Sequence, residues 1–159
     1  MEHHRKWRFP PSGSFDTPKC LVELAGVTLL DRTLEVLRSF GIHDITIVTG
    51  HKAERFGGGD FRTLLNPEYQ HTNMVHSLFK ATNILTGGEP VLISYGDIVY
   101  EPSVLKSLID CDAPVSICVD TLWERYWKAR MVNPLDDAES LRLNDAGDVT
   151  EIGRKPDDI

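Results

Sequence analysis

Leu29, Leu30, Thr33, Leu34, Leu37 and Phe40 recur at intervals of one, three and four between two short strand-like runs, residues 22–25 and 44–49. That spacing lines one face of an α-helix, so the stretch predicts a β-α-β unit. Thr28 with Asp31 three positions on is close to a capping box, and Gly41 stands where a left-handed residue ends a helix. A second helix is predicted from Met74, Val75, Leu78, Phe79, Thr82 and Leu85, with Asn73 as its N-cap and Gly87 as its stop. It feeds the nearly all-apolar run 90–94, patterned like a strand covered on both faces. A third helix opens at Pro102, buries Val104, Leu105, Leu108 and Ile109, and leads to a strand at 115–119. Strands alternating with helices in this order predict an α/β fold with a mostly parallel, doubly wound sheet.

Beyond residue 119 the pattern changes. Residues 123–127 are aromatic and charged, residues 129–132 read as a strand, and 141–143 with 149–152 flank the turn Asn144-Asp-Ala-Gly-Asp148 as a hairpin. Gly57-Gly-Gly59 reads as a loop. Residues 1–16 read as an N-terminal arm, in which His3 and His4 are solvated, and residues 17–159 as one domain.

Composition narrows the partners. A chain of 159 residues that is 41% hydrophobic can bury a single core. With 24 acidic against 17 basic side chains its net charge is -7, which repels nucleic acid but leaves room for a small phosphorylated ligand at a locally positive site. Cys20, Cys111 and Cys118 are odd in number and lack Cys-x-x-Cys spacing, so neither a disulfide framework nor a structural zinc site is expected, and the cytoplasm is the default. No apolar stretch reaches the roughly 18 residues of a membrane span.

Ligands of parallel sheets gather at the carboxyl ends of the strands, where loops and helix starts present unpaired N–H groups. Three features fall at such places. Asp97 follows the 90–94 run within Ser-Tyr-Gly-Asp; it suits Mg²⁺ shared with a nucleotide phosphate, or simply begins a turn. Asn73 suits a nucleotide-facing helix start, or is an N-cap and nothing more. Lys19 suits a phosphate as a point charge, or is an ordinary exposed lysine.

In combination these segments carry a resemblance. Pro18-Lys-Cys-Leu-Val-Glu-Leu-Ala-Gly, Phe40-Gly-Ile-His-Asp-Ile-Thr-Ile-Val-Thr-Gly50, Asn66-Pro67, Thr72-Asn-Met-Val-His-Ser-Leu78 and Ser94-Tyr-Gly-Asp97, in that order, resemble the sugar-phosphate nucleotidylyltransferase family. The Thr-Asn-x-x-x-Ser-Leu segment is most similar to the branch that transfers CMP to phosphocholine or 2-aminoethylphosphonate, and Val119-Asp-Thr-Leu-Trp-Glu-Arg-Tyr126 is similar to the same branch. Glu151-Ile-Gly-Arg-Lys-Pro156 resembles the family's Glu-Lys-Pro segment. The resemblance implies a Rossmann-like three-layer α/β/α fold of the nucleotide-diphospho-sugar transferase type, with Lys19 on the nucleotide phosphates and Asp97 on Mg²⁺. It further implies Asn73, Ser77 and Gly96 at the nucleotide, CTP favoured, and Lys155 near the phosphate of the acceptor.

The chain also departs from that family. Its first strand should end in Ala-Ala-Gly-x-Gly-x-Arg, whose N–H groups cradle a triphosphate; here Lys6-Trp-Arg-Phe-Pro-Pro-Ser-Gly-Ser-Phe15 stands instead, with Arg8 as a possible remnant of the arginine. The expectation is a domain truncated at both ends, without the second metal-binding aspartate; Asp157 and Asp158 are not recruited for that role. Two readings stand: a cytidylyltransferase-like enzyme, or a nucleotide-binding or assembly domain without turnover. An incomplete sheet also predicts a homo-oligomer.

Overall fold

A computed structural model describes residues 16–136 and 138–156. The expectations for the arm up to residue 15, His3, His4 and Arg8 included, and for Asp157 and Asp158 lie outside the described residues. Two compact units are formed, one ending at Asp112 and one beginning at Ala113.

In the first unit the leucine-spaced segment is helix α1, Leu29–Ser39, with Leu30, Thr33, Leu34 and Leu37 buried along one face. Its start is fixed as the sequence suggests: Thr28 Oγ1 accepts from the Asp31 N–H at 3.0 Å and donates to Asp31 Oδ2 at 2.7 Å. Gly41, at φ 76°, supplies the left-handed turn that ends it.

The run ahead of α1 differs from the expectation. Residues 22–25 do not begin a β-α-β unit; β1 (Glu23–Leu24) folds back on β2 (Val27–Thr28) as an antiparallel hairpin. Ala25 and Gly26 between them both have positive φ, 54° and 78°, the backbone of a tight primed turn that reverses the chain at once. The parallel pair is β3 (Thr46–Thr49) with β4 (Arg62–Leu65), in register from Thr46 opposite Arg62 to Thr49 opposite Leu65. Their crossover holds one 3-10 turn, Ala53–Arg55.

The second predicted helix is broken in two, α2 (Met74–Phe79) and α3 (Thr82–Leu85). Thr82 Oγ1 donates to the Phe79 carbonyl at 2.5 Å, a side-chain bond that competes with continuous helix at the junction. Helix α4, Pro102–Ile109, begins at its proline as expected, but only Leu105 is buried; Val104 and Ile109, expected inside, are exposed. Helices α1 and α4 pack together, and Leu30, Leu34, Leu37, Ala81 and Leu105 are buried apolar side chains, with Pro18 and Pro134 also buried.

Residues 90–94 and 115–119 are not strands. Each is free of regular structure and has no ladder partner among the described residues, so its N–H and C=O groups are not sheet-paired. Val91 and Ile93 in the first run, and Val115, Ile117 and Val119 in the second, are exposed rather than covered on two faces. The class is α/β, and among the described residues its parallel sheet is one pair of strands rather than a run of four.

In the second unit, helix α5 (Trp123–Arg130) takes up part of the stretch 129–132 that reads as a strand. The Arg130 guanidinium lies over the Tyr126 and Trp127 rings, 4.9 Å and 5.4 Å from their centroids, a stacking that suits helix spacing and not a strand. Strands β5 (Leu141–Leu143) and β6 (Val149–Ile152) form the expected hairpin. Asn144 Oδ1 closes its turn by accepting from the N–H groups of Ala146 at 3.0 Å and Asp148 at 2.8 Å. Among the described residues no helix is long and apolar enough to cross a membrane.

Candidate functional site

Strands β3 and β4 run parallel, so both carboxyl ends open on one edge, at Gly50 and at Asn66. Gly50 is needed there: a Cβ on it would lie 2.5 Å from the Tyr69 Cβ, inside any tolerable contact. Just past Gly50, Lys52 Nζ and Arg55 Nη2 hold the Asp16 carboxylate at 3.2 Å and 3.0 Å, and Arg55 Nη1 donates to Thr17 Oγ1 at 2.8 Å. This clasp anchors the Asp16-Thr-Pro-Lys19 segment to the strand edge. The Lys52 hydrogen bond and charge, with Arg55, hold the Asp16 carboxyl below its usual range. A depressed carboxyl favours the ionised clasp above the ordinary carboxylate range, and the benefit fades as pH falls through the folded value.

Lys19 opens the 3-10 turn Lys19–Leu21 that follows the clasp; it is exposed and makes no ion pair among the described residues. Its neighbour Cys20 packs on the next candidate segment: a Cβ built on Gly96 would sit 3.4 Å from the Cys20 Cβ. Burial pushes the Cys20 thiol up, and the negative charge of Asp97 adds to the rise. Lys19 and Gly96-Asp97, far apart in the chain, are therefore brought to adjoining places.

Tyr95 joins the third segment. Its hydroxyl lies 2.7 Å from Met74 Sδ, so the start of α2 lies against the Ser94–Asp97 turn. Asn73 caps α2, its Oδ1 accepting from the His76 N–H at 3.0 Å, while its Nδ2 donates to no group among the described residues. Ser77 Oγ faces inward, accepting from Asn66 Nδ2 at 3.0 Å. Lys155 is exposed and belongs to the second unit.

Two features of this edge are not evident in the sequence. One is the Asp16 clasp. The other is Asn66, the most completely buried polar side chain among the described residues, at 1% exposure. A weak signal for it exists: an asparagine directly after Leu64-Leu65 and before Pro67, where a strand must end.

No group of three or more His, Cys, Asp or Glu that could cage a metal occurs among the described residues. Asp97, exposed and without a hydrogen bond or ion pair among them, fits the other mode, in which Mg²⁺ takes one or two carboxylates and completes its shell with water and substrate phosphates. A separate cavity of about 320 Å³ lies between α1 and the start of α4, lined by Arg32, Val36, Val99 and Tyr100 together with Glu35 and Glu101. Its two carboxylates oppose a polyphosphate, and no candidate residue lines it.

A lysine, a Gly-Asp turn and an asparagine-capped helix are thus gathered near the carboxyl edge of the parallel strands. The MobA-like NTP transferase domain family matches residues 11–143, and the chain belongs to that family. It is 34% identical over 151 residues to the CTP:phosphoglutamine cytidylyltransferase of Campylobacter jejuni, covering 88% of this chain and 58% of that protein. It is 32% identical over 144 residues to the bifunctional IPC transferase and DIPP synthase of Rubrobacter xylanophilus, covering 86% of this chain and 30% of that one. A shorter match, 32% over 99 residues, relates it to the CMP-5'-(3-aminopropyl)phosphonate synthase of Streptomyces rubellomurinus, covering 57% of this chain and 15% of that protein. The chain thus spans well under two thirds of the length of each of these relatives. No solved structure matches it.

Proposed function

We propose that this chain carries the site of a cytidylyltransferase, which transfers CMP from CTP to a phosphorylated small molecule. The observation that carries the reading is the packing of Cys20 against Gly96, which places Lys19 beside the Gly96-Asp97 turn. A phosphate or phosphonate oxygen of the acceptor attacks the α-phosphorus of CTP; the bond to the β-phosphate oxygen breaks, and pyrophosphate leaves. No covalent nucleophile is required, so the protein contributes position and charge. Lys19 neutralises phosphate oxygens, the Gly96 backbone admits the nucleotide closely, and Asn73 offers its Nδ2 to the base with Ser77 behind it. Mg²⁺ held by Asp97 together with the phosphates supplies further charge neutralisation when bound. Lys155 is proposed as a contact of the acceptor phosphate from the resemblance of residues 151–156 alone. Relatives named for CTP and for CMP products support the nucleotide, and three cysteines without Cys-x-x-Cys spacing fit a cytoplasmic setting.

The test is pyrophosphate release from CTP, UTP and other triphosphates with phosphocholine, aminoethylphosphonate and sugar 1-phosphates, with and without Mg²⁺. Mg²⁺-dependent release from CTP is expected; failure of every triphosphate either to bind or to react would overturn the reading. Binding of CTP without turnover supports the second reading, a nucleotide-binding or assembly domain.

The three-layer Rossmann-like arrangement is part of the same proposal, with 90–94 and 115–119 as strands once they are paired. Exposed Val91, Ile93, Val115, Ile117 and Val119 support a second copy as the covering partner. Light scattering at micromolar concentration should return at least a dimer mass, and a clean monomer contradicts it.

A further inference from the structure

We infer that Asn66 is a positioning residue that sets the place of Asn73, an inference that rests on the cytidylyltransferase reading for its functional consequence. Helix α2 has no buried residue, so apolar packing does not fix where it starts. A polar hub does so instead. Asn66 Nδ2 donates to Thr72 Oγ1 and to Ser77 Oγ, both at 3.0 Å, while its Oδ1 accepts from the Glu68 N–H at 3.0 Å. The backbone N–H of Asn66 donates to the Thr49 carbonyl at 2.8 Å, which ties the hub to the end of β3.

The orientation of the carboxamide is determined by its partners. The Glu68 N–H can only donate, so it must meet Oδ1, and the two hydroxyls accept from the amide nitrogen. Thr72 Oγ1 then passes its own proton to the Glu68 carbonyl at 2.9 Å, and Ser77 Oγ lies 3.4 Å from the Asn73 carbonyl. Thr72 precedes Asn73 directly and Ser77 lies one turn after it. Asn66 therefore holds the chain on both sides of Asn73 and leaves Asn73 Oδ1 on the His76 N–H, with no acceptor for its Nδ2 among the described residues. With the Asn66 carboxamide enclosed and its N–H groups engaged, it acts on a ligand through Asn73.

The hub predicts how three variants behave. Thr72→Val removes one acceptor while keeping the shape, Thr72→Ser keeps the hydroxyl, and Asn66→Asp removes both donors. Hydrogen exchange over residues 72–80 in the ligand-free full chain reads the positioning, and CTP titration with Mg²⁺ reads its consequence. Thr72→Val and Asn66→Asp are expected to speed exchange at the His76 amide and to weaken CTP binding about tenfold, with kcat changed less than twofold. Thr72→Ser should restore both. Where Asn66→Asp does not fold by circular dichroism, the threonine pair decides alone. Exchange and affinity both within twofold of wild type overturn the inference, as does faster exchange with unchanged CTP affinity, which marks a merely structural hub. Wild-type protein that binds no CTP would instead sink the cytidylyltransferase reading, and exchange at His76 would then decide whether Asn66 sets Asn73.

Discussion

Asp97→Asn is expected to reduce turnover of CTP about a thousandfold while leaving the fold intact. The side chain is exposed and has no hydrogen bond or ion pair among the described residues, so replacing one oxygen by an amide disrupts no protein contact. On the proposed reading, what changes is the charge that Asp97 offers to a metal and a triphosphate. Metal-assisted charge stabilisation is worth several kcal/mol, and even one lost oxyanion donor costs about 3 kcal/mol, or two to three powers of ten in rate. The loss should fall on kcat and on the Mg²⁺ concentration needed for half-maximal pyrophosphate release. A melting temperature near that of wild type is the accompanying control. Activity within tenfold of wild type, with unchanged Mg²⁺ dependence, would remove Asp97 from the metal role and leave its turn-forming role as the explanation.

Elements whose causes are local are the ones legible in the sequence. Helix α1 carries its apolar stripe, its Thr28–Asp31 cap and Gly41 within one stretch of chain, and the β5–β6 hairpin is closed by its own Asn144. Helix α4 likewise announces its start with Pro102. Residues 90–94 and 115–119 carry strand-like composition, but a strand exists only when a neighbour accepts its hydrogen bonds, and composition does not name that neighbour. The 22–25 run fails for a different reason: Ala25-Gly26 reverses the chain, and alanine gives little notice that it will adopt a positive φ.

The site divides in the same way. Lys19, Asn73, Ser77, Gly96 and Asp97 are legible in the order of the motifs, and the fold adds the contacts by which Cys20 meets Gly96 and Tyr95 meets Met74. Asn66 stands out in the sequence only as part of a motif. Its role depends on the meeting of β3, β4 and α2, and hydrogen bonds from one carboxamide to Glu68, Thr72 and Ser77 leave no periodic trace.

Leu105→Ala is expected to cost about 3 kcal/mol of stability, from a range of about 2–5 for leucine-to-alanine changes in a core. Leu105 is 2% exposed, the most buried apolar side chain among the described residues, and it lies on α4, which packs against α1. Thr33 Oγ1, on that face of α1, lies 3.3 Å from the Ile98 carbonyl just ahead of α4, so polar and apolar contacts secure one junction. Few side chains share the load: Leu30, Leu34 and Leu37 come from α1 alone, and Ala81 has only a methyl group to contribute. A cavity at Leu105 therefore has little surrounding apolar mass able to collapse into it, which keeps the cost away from the low end of the range. Against a typical stability of about 5–15 kcal/mol this is a large fraction, and the melting temperature should fall by roughly 10 °C. Val132→Ala is the matched control, because Val132 is fully exposed and its truncation should stay within about 0.5 kcal/mol. Urea unfolding of both variants makes the comparison, and a Leu105→Ala loss under about 1 kcal/mol would mean that α4 does not rest on α1 in solution.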